Sequence, residues 1–380
     1  MYSKELAELG FVVFRRQNDN GGIKPHLFIR FKSKEGQLLT FAIDTTRIPA
    51  SQEPPDAYLI THAHSDHYGK SAMLSEISWC SEETARALEI RYEKTYKGKT
   101  FENGSTFFVC GVEVQTFDVY HTPGSSAFYW ENELGNSILI TGDVKDARNL
   151  PKCDILLTEA SYGDPSDISC YFKDDIEGLH HAVLSHIGER KIAFGAYEFG
   201  KSQKAVSILR DMGYNGPIAM NSKTLTLTEK FVRNSGELVE IGTGQFSFSQ
   251  STLIQNDAGQ NDVSQNSLNQ NTVSQSEDLS VSCHVSIVPI GELFNFSSDI
   301  RKYVLTCRSD YPFENIRLSD HLDVDGLTRM VKEICPKITV VYHPNKSPRT
   351  DKFAKHLEKN GFKAFSINKI QNIVRNEKTV

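Results

Sequence analysis

Five short apolar runs in this chain each lead into a side chain able to bind a metal ion. The run AYLI opens onto THAHSDHYGK, which places His62, His64, Asp66 and His67 close together. VEVQTFDVY delivers His121, SILITGD ends on Asp143, CDILLTEA reaches Glu159, and KITVVY ends at His343. Loops at strand ends are free to present polar groups over a rigid sheet, so this pattern predicts a layered fold with one working edge. Burying the THAHSDH groups together without a cation would leave unpaired polar atoms at about 1–3 kcal/mol each. Taken singly, the others have plainer readings: His121 as a surface turn residue, His343 as a strand cap, Asp143 as an Asx-turn acceptor.

Neutral imidazole and carboxylate suit zinc, iron or manganese better than calcium. Alternate residues of an extended loop share a side, so His62 and His64 face one way. Asp66 and His67 then face the adjoining space, giving two half-shells of the kind two-metal hydrolysis requires.

The rest of the sequence sets the frame. The chain has 380 residues, enough for one large or two moderate domains with a real core. Its formal charge of -6 excludes an overall basic nucleic-acid footprint, though not a local basic groove. No apolar run approaches membrane-spanning length, and the start MYSKELAELGFVVF does not read as a secretory signal. Seven cysteines with no CxxC pair fit reduced thiols, so a cytoplasmic, non-membrane protein is expected. The sequence leaves the oligomeric state open, a homodimer included.

Strands dominate the first 160 or so residues, with HLFIRFK and LLTFAID flanking a KEGQ hairpin turn. After YGDPSD the pattern changes. DDIEGLHHAVLSHIG and SQKAVSILRDMG carry helical apolar spacing, and KIAFGAY and GPIAM read as strands. Such alternation predicts a parallel sheet. The Ser/Asn/Gln-rich stretch 249–280 lacks a sustained apolar period and is expected to be a disordered surface insertion. The end reads as loop, helix, strand, helix, strand, with Leu327, Met330, Val331 and Ile334 as one helix's apolar face.

THAHSDHYG resembles the HxHxDH signature of the metallo-beta-lactamase fold, and YHTPGSS and ITGD look like further motifs of that superfamily. TEASYG, FGKSQKA, LSDHLDVDGL and VVYHP extend the resemblance to its beta-CASP nuclease branch, among short bacterial and archaeal members described as RNA 3'-end-processing or ligase-associated DNA exonucleases. The resemblance covers nearly the whole chain outside 249–280. It implies an α/β fold, an αββα sandwich from residues 1–164. A beta-CASP-like domain would be inserted at 165–315, with 316–380 returning to the first. It also implies two zinc ions, with manganese as a substitute. His62, His64 and His121 would hold one, Asp66, His67 and His343 the other, and Asp143 would bridge them. Glu159 and His321 match the acidic and histidine motifs of the branch. The serine–glycine element that usually precedes this histidine is absent, and Arg308 and Ser309 stand in its region.

The expected activity is hydrolysis of phosphodiester bonds in RNA or single-stranded DNA, from an end, by a hydroxide held between two zinc ions. It would serve RNA processing or DNA repair. Asp66, Glu159 and His321 are the candidate catalytic residues, His321 as a general acid or phosphate contact. Gly200 precedes a helix whose first residues, Lys201, Ser202 and Gln203, suggest a phosphate seat. Arg86, Arg91, Lys94, Lys97 and Lys99, interleaved with Tyr92 and Tyr96, suggest a nucleic-acid track. Two alternatives remain at this stage. One is a small-molecule metallohydrolase of thioesterase or lactonase type, the other a non-catalytic nucleic-acid-binding subunit.

Overall fold

The computed structural model describes residues 2–16, 27–45, 53–67, 70–186, 191–241, 284–308, 310–343, 348–370 and 373–374. The expected insertion at 249–280, Gly69 and Ser309 lie outside the described residues.

Two seven-stranded sheets face each other. The first runs in the order Ile373–Val374, Phe11–Arg16, Leu27–Lys32, Leu38–Ile43, Ala57–Leu59, Ser78–Ser81, Lys99–Phe101. The second runs Ala364–Ser366, Ile338–Val341, Ile155–Thr158, Ser137–Ile140, Ser126–Glu131, Val112–Asp118, Thr106–Val109. The KEGQ turn joins an antiparallel pair with Phe31 opposite Leu39, as the hairpin reading expects.

Strand periodicity explains the layering. Phe11 and Val13, Leu27 and Ile29, and Phe41 and Ile43 point into a core shared with Ile138, Ile140, Ile155, Leu157 and Val340 of the second sheet. Their neighbours Phe14, Phe28 and Ala42 point the other way, into a cluster with Ala87 and Leu88 of the helix Glu82–Tyr92. On the far side, Leu139, Leu156 and Val341 pack with the helices Val324–Ile334 and Pro348–Lys359. The central strands are therefore covered on both faces and read as continuous apolar runs, while the strands Thr106–Val109 and Val112–Asp118, toward one edge, alternate buried and exposed residues. The layers run helix, sheet, sheet, helix, a mixed α/β sandwich. Phe41 sits at its centre, with ring centroids 5.0 Å from Phe31 and 5.4 Å from Trp130. Phe41→Ala should cost about 3–5 kcal/mol of stability, read as a lowered urea midpoint.

A third sheet, of six strands, is built between residues 192 and 316, in the order Leu238–Glu240, Ile218–Met220, Val285–Pro289, Ile192–Ala196, Arg301–Leu305, Glu314–Ile316. All its pairs are parallel. The chain leaves the second sheet after Thr158 and re-enters it at Ile338, and this third sheet lies between. Among the described residues, no helix is long and apolar enough to cross a membrane. The six described cysteines are all free.

Candidate metal centre

The strand Ala57–Leu59 ends beneath the loop that carries His62, His64, Asp66 and His67. Ser126 N–H donates to the Thr61 carbonyl at 2.9 Å, and Arg91 donates to the Ala63 carbonyl, so the loop is held on two sides. His121 follows the strand Val112–Asp118 and enters a Thr122–Pro123–Gly124–Ser125 turn. Pro123 and the left-handed Gly124, φ 78°, suit a type II turn. Its Ser125 hydroxyl accepts from the His121 amide at 3.0 Å. Asp143 follows Ser137–Ile140 through Gly142, whose φ is 60°. A side chain at Gly142 would meet Thr61 Oγ1 at 2.6 Å, so glycine is required for the two loops to touch.

Three groups of donor atoms result, each with its members within 4.8 Å of one another: His62, His64, His121 and Asp143; Asp66, His67 and His343; and Asp143, Glu159 and His321. Asp143 Oδ2 lies 3.8 Å from His62 Nε2, 3.4 Å from His67 Nε2 and 3.5 Å from His121 Nε2, so one carboxylate faces both of the first two groups.

Hydrogen bonds fix which nitrogen of each ring carries the proton. Thr61 donates its amide and hydroxyl to Asp44 at 2.8 and 2.9 Å, so its oxygen accepts from His62 Nδ1–H at 2.9 Å. His67 Nδ1–H donates to Asp44 at 3.0 Å. His64 Nε2–H donates to the Phe199 carbonyl at 3.0 Å, and His121 Nδ1–H to the Asp320 carbonyl at 2.8 Å. Each remaining nitrogen offers a lone pair inward. His64 Nδ1 and His121 Nε2 face each other at 3.0 Å, an arrangement two lone pairs hold only with a cation between or beside them. His62 Nε2, His67 Nε2 and Asp143 Oδ1 are buried with no hydrogen-bond partner. Three such atoms would cost about 1–3 kcal/mol each if nothing bound them. The residues therefore fit divalent transition-metal ions.

Electrostatics agree at four of the five ligand histidines; at His67 burial lowers the pKa, but Asp143, Asp44 and Asp66 outweigh it and raise it well above the ordinary range. Burial, aided by neighbouring imidazoles, pushes His62 and His121 well below the ordinary histidine range, and burial lowers His64 and His343. These shifts favour the neutral form that ligands require. Burial would raise Asp143, but His67 and then His321 hold it well below the carboxylate range.

Glu159 is buried and pinned by the amides of Val144 and Ser161 at 2.7 and 3.1 Å. Both its oxygens meet His321 Nδ1, at 2.9 and 3.0 Å. Burial pulls the His321 pKa down, but Glu159 and Asp143 outweigh it and raise it.

Two side chains of the expected phosphate seat have internal partners. Ser202 donates its hydroxyl to the Tyr197 carbonyl at 2.7 Å. Gln203 accepts from the Gly200 amide at 2.7 Å and donates to Glu198 and Thr228. Both close the helix start itself and have nothing left for a ligand. Lys201 is 3 % exposed with its ammonium over the Tyr197 ring, and has no hydrogen bond or ion pair among the described residues. Arg308 is exposed just beyond the strand Arg301–Leu305. Three residues of the basic track also have internal partners. Arg91 pairs with Glu198 and braces the metal loop, Arg86 pairs with Glu89, and Tyr96 is buried, accepting from the Ser78 hydroxyl at 3.0 Å.

Asp44 escaped the sequence reading. It ends the TFAID run, buried, with φ 47°, and its carboxylate orients both Thr61 and His67. Its only signal was an acid at a strand end, the pattern shared by Asp143 and Glu159.

Residues 40–187 match the family model of the Metallo-beta-lactamase superfamily. The matched span carries His62, His64, Asp66, His67, His121, Asp143 and Glu159 of the donor clusters, while His321 and His343 lie outside it. An RNase J-like protein of Methanocaldococcus jannaschii is 22% identical over 50% of this chain and 52% of its own length. A probable DNA ligase of Opitutus terrae is 23% identical over 83% of this chain, but only 29% of its own length. The chain thus spans about half or less of these relatives. A solved structure of a protein of unknown function from Enterococcus faecalis superposes with a TM-score of 0.58 at 12% identity, covering 90% of this chain and 96% of that one. It shares the fold.

Proposed function

We propose that this protein is a nuclease of the beta-CASP branch, hydrolysing phosphodiester bonds of RNA or single-stranded DNA from an end. The carrying observation is His321. A proton-bearing imidazole, clamped by Glu159, stands beside the carboxylate that the two metal groups share. A departing sugar oxygen needs that proton, whereas an activated carboxyl ester or lactone needs it much less. The relatives support a nucleic-acid substrate: one is named for an RNase, the other for a DNA ligase. A separate parallel sheet between residues 192 and 316 supports an inserted domain of the branch's kind.

His62, His64 and His121 would hold one metal ion, and Asp66, His67 and His343 a second, with Asp143 between. Zinc suits these donors, and manganese can replace it. Bound there, the ions would supply an acidified water and offset charge on the phosphoryl oxygens. Asp44 and the Phe199 and Asp320 carbonyls keep the ligand rings turned inward. Glu159 keeps His321 protonated with Nε2 as the donating atom. Lys201 and Arg308 offset the charge of phosphates entering beside the strand ends of the third sheet.

Timed digestion of matched end-labelled RNA and DNA strands, with zinc and then manganese, tests this reading. Mononucleotides should accumulate from one end. Intact strands in every condition, with metals bound, would refute it.

A further inference from the structure

A second polar cluster lies outside the metal ligands. Asp174, in the segment that leads from the first domain toward the third sheet, accepts from Lys145 at 3.0 Å and Lys204 at 2.7 Å. Its other oxygen accepts from the Ser319 amide at 2.9 Å. Lys204 also donates to the Ser319 carbonyl at 2.7 Å, and Lys145 to that of His321 at 3.5 Å. The Ser319 hydroxyl in turn accepts from the His321 amide at 3.1 Å.

Four separate parts of the chain meet here. Lys145 lies two residues after Asp143. Lys204 stands on the helix Lys201–Asp211, beside the third sheet. Asp174 stands in the connection, and Ser319–His321 in the returning segment. That returning segment does two things at the centre: the Asp320 carbonyl orients His121, and the His321 ring meets Glu159. The Asp174 side chain is only 18% exposed, and the two lysines 27% each, so the cluster is half-buried. Without the carboxylate, two ammonium groups would face one another there with their main counter-charge gone.

We infer that Asp174 is a positioning residue: it sets Ser319–His321, and through it the His321 ring, from the junction between the first two sheets and the third. This rests on the nuclease reading for its kinetic consequence, but not for its structural one.

The test uses the full-length, metal-loaded protein. Asp174→Asn should lower kcat on a labelled oligonucleotide about ten- to a hundredfold, the usual cost of losing an orienting partner, and leave KM within about twofold. In the His321→Ala background the same change should cost much less, because most of its effect acts through that ring. Lys204→Met, which leaves Lys145 on Asp174, should give the same pattern more weakly and covers the case in which Asp174→Asn does not fold. A separate arm needs no activity. In protein carrying 13C-labelled histidine, the His321 resonance, assigned by its loss in His321→Ala, should shift in Asp174→Asn or Lys204→Met. It should stay in place in Lys352→Met, which breaks the remote pair with Asp164. An unmoved His321 resonance, or an undiminished effect on kcat without His321, would overturn the inference. Intact oligonucleotide with a shifted resonance would overturn the nuclease reading and leave the positioning role standing.

Discussion

Asp143→Ala will cost the protein its paired metals and more than about a hundredfold of activity, which is the upper loss seen when a mere orienting partner is removed. The reason is geometric. One oxygen of Asp143 lies within 3.8 Å of the inward nitrogens of His62, His67 and His121, and its other oxygen is buried without a partner. No other carboxylate among the described residues faces both ligand groups. Removing it leaves Asp66 as the remaining carboxylate of the two ligand groups, with only neutral imidazoles around the first ion. Elemental analysis should fall from about two metal ions per chain to one or fewer. Asp143→Asn keeps the shape and loses the charge, so it should lose metal nearly as completely. Retention of both ions by either variant would end the two-metal interpretation.

His321→Ala is expected to lower kcat about 10²–10⁴-fold on oligonucleotides while both metals stay bound. It should spare a phosphodiester whose leaving group is p-nitrophenolate, because that group departs without a proton. The pH profile carries the sign. Glu159 and Asp143 raise His321 above the ordinary value of about 6.5, against the pull of burial. The acid form is therefore complete at low pH and is lost as pH rises through the raised pKa, which places a falling limb on the alkaline side. Glu159→Gln removes the largest raising charge and should move that limb to lower pH. His321→Ala should abolish it. A limb unaffected by either change would assign the proton to another group.

Much of the fold could be read from local pattern. The apolar runs became the central strands, covered on both faces, and the helix around Leu327, Met330, Val331 and Ile334 buries those four residues together. Strand–helix alternation after Asp167 became a parallel sheet. The reading faltered where bonds run between distant or self-contained groups. Lysine and glutamine at a helix start look like a phosphate seat in either case, yet Gln203 turns back on its own N-terminus. The basic residues of 86–99 look like a track, yet Arg91 is spent on Ala63 and Glu198.

The sequence alone determined which donors exist and that each stands at a strand end, because side-chain type and period are local properties. Tertiary structure decided which lone pair of each ring faces inward. That direction is set by acceptors far along the chain: Phe199 for His64, 135 residues away, and Asp320 for His121, 199 residues away. It also decided that Asp44 and Asp174 belong to the site. A hydrogen bond acts over about 3 Å of space irrespective of separation in sequence, so only the folded chain shows who meets whom.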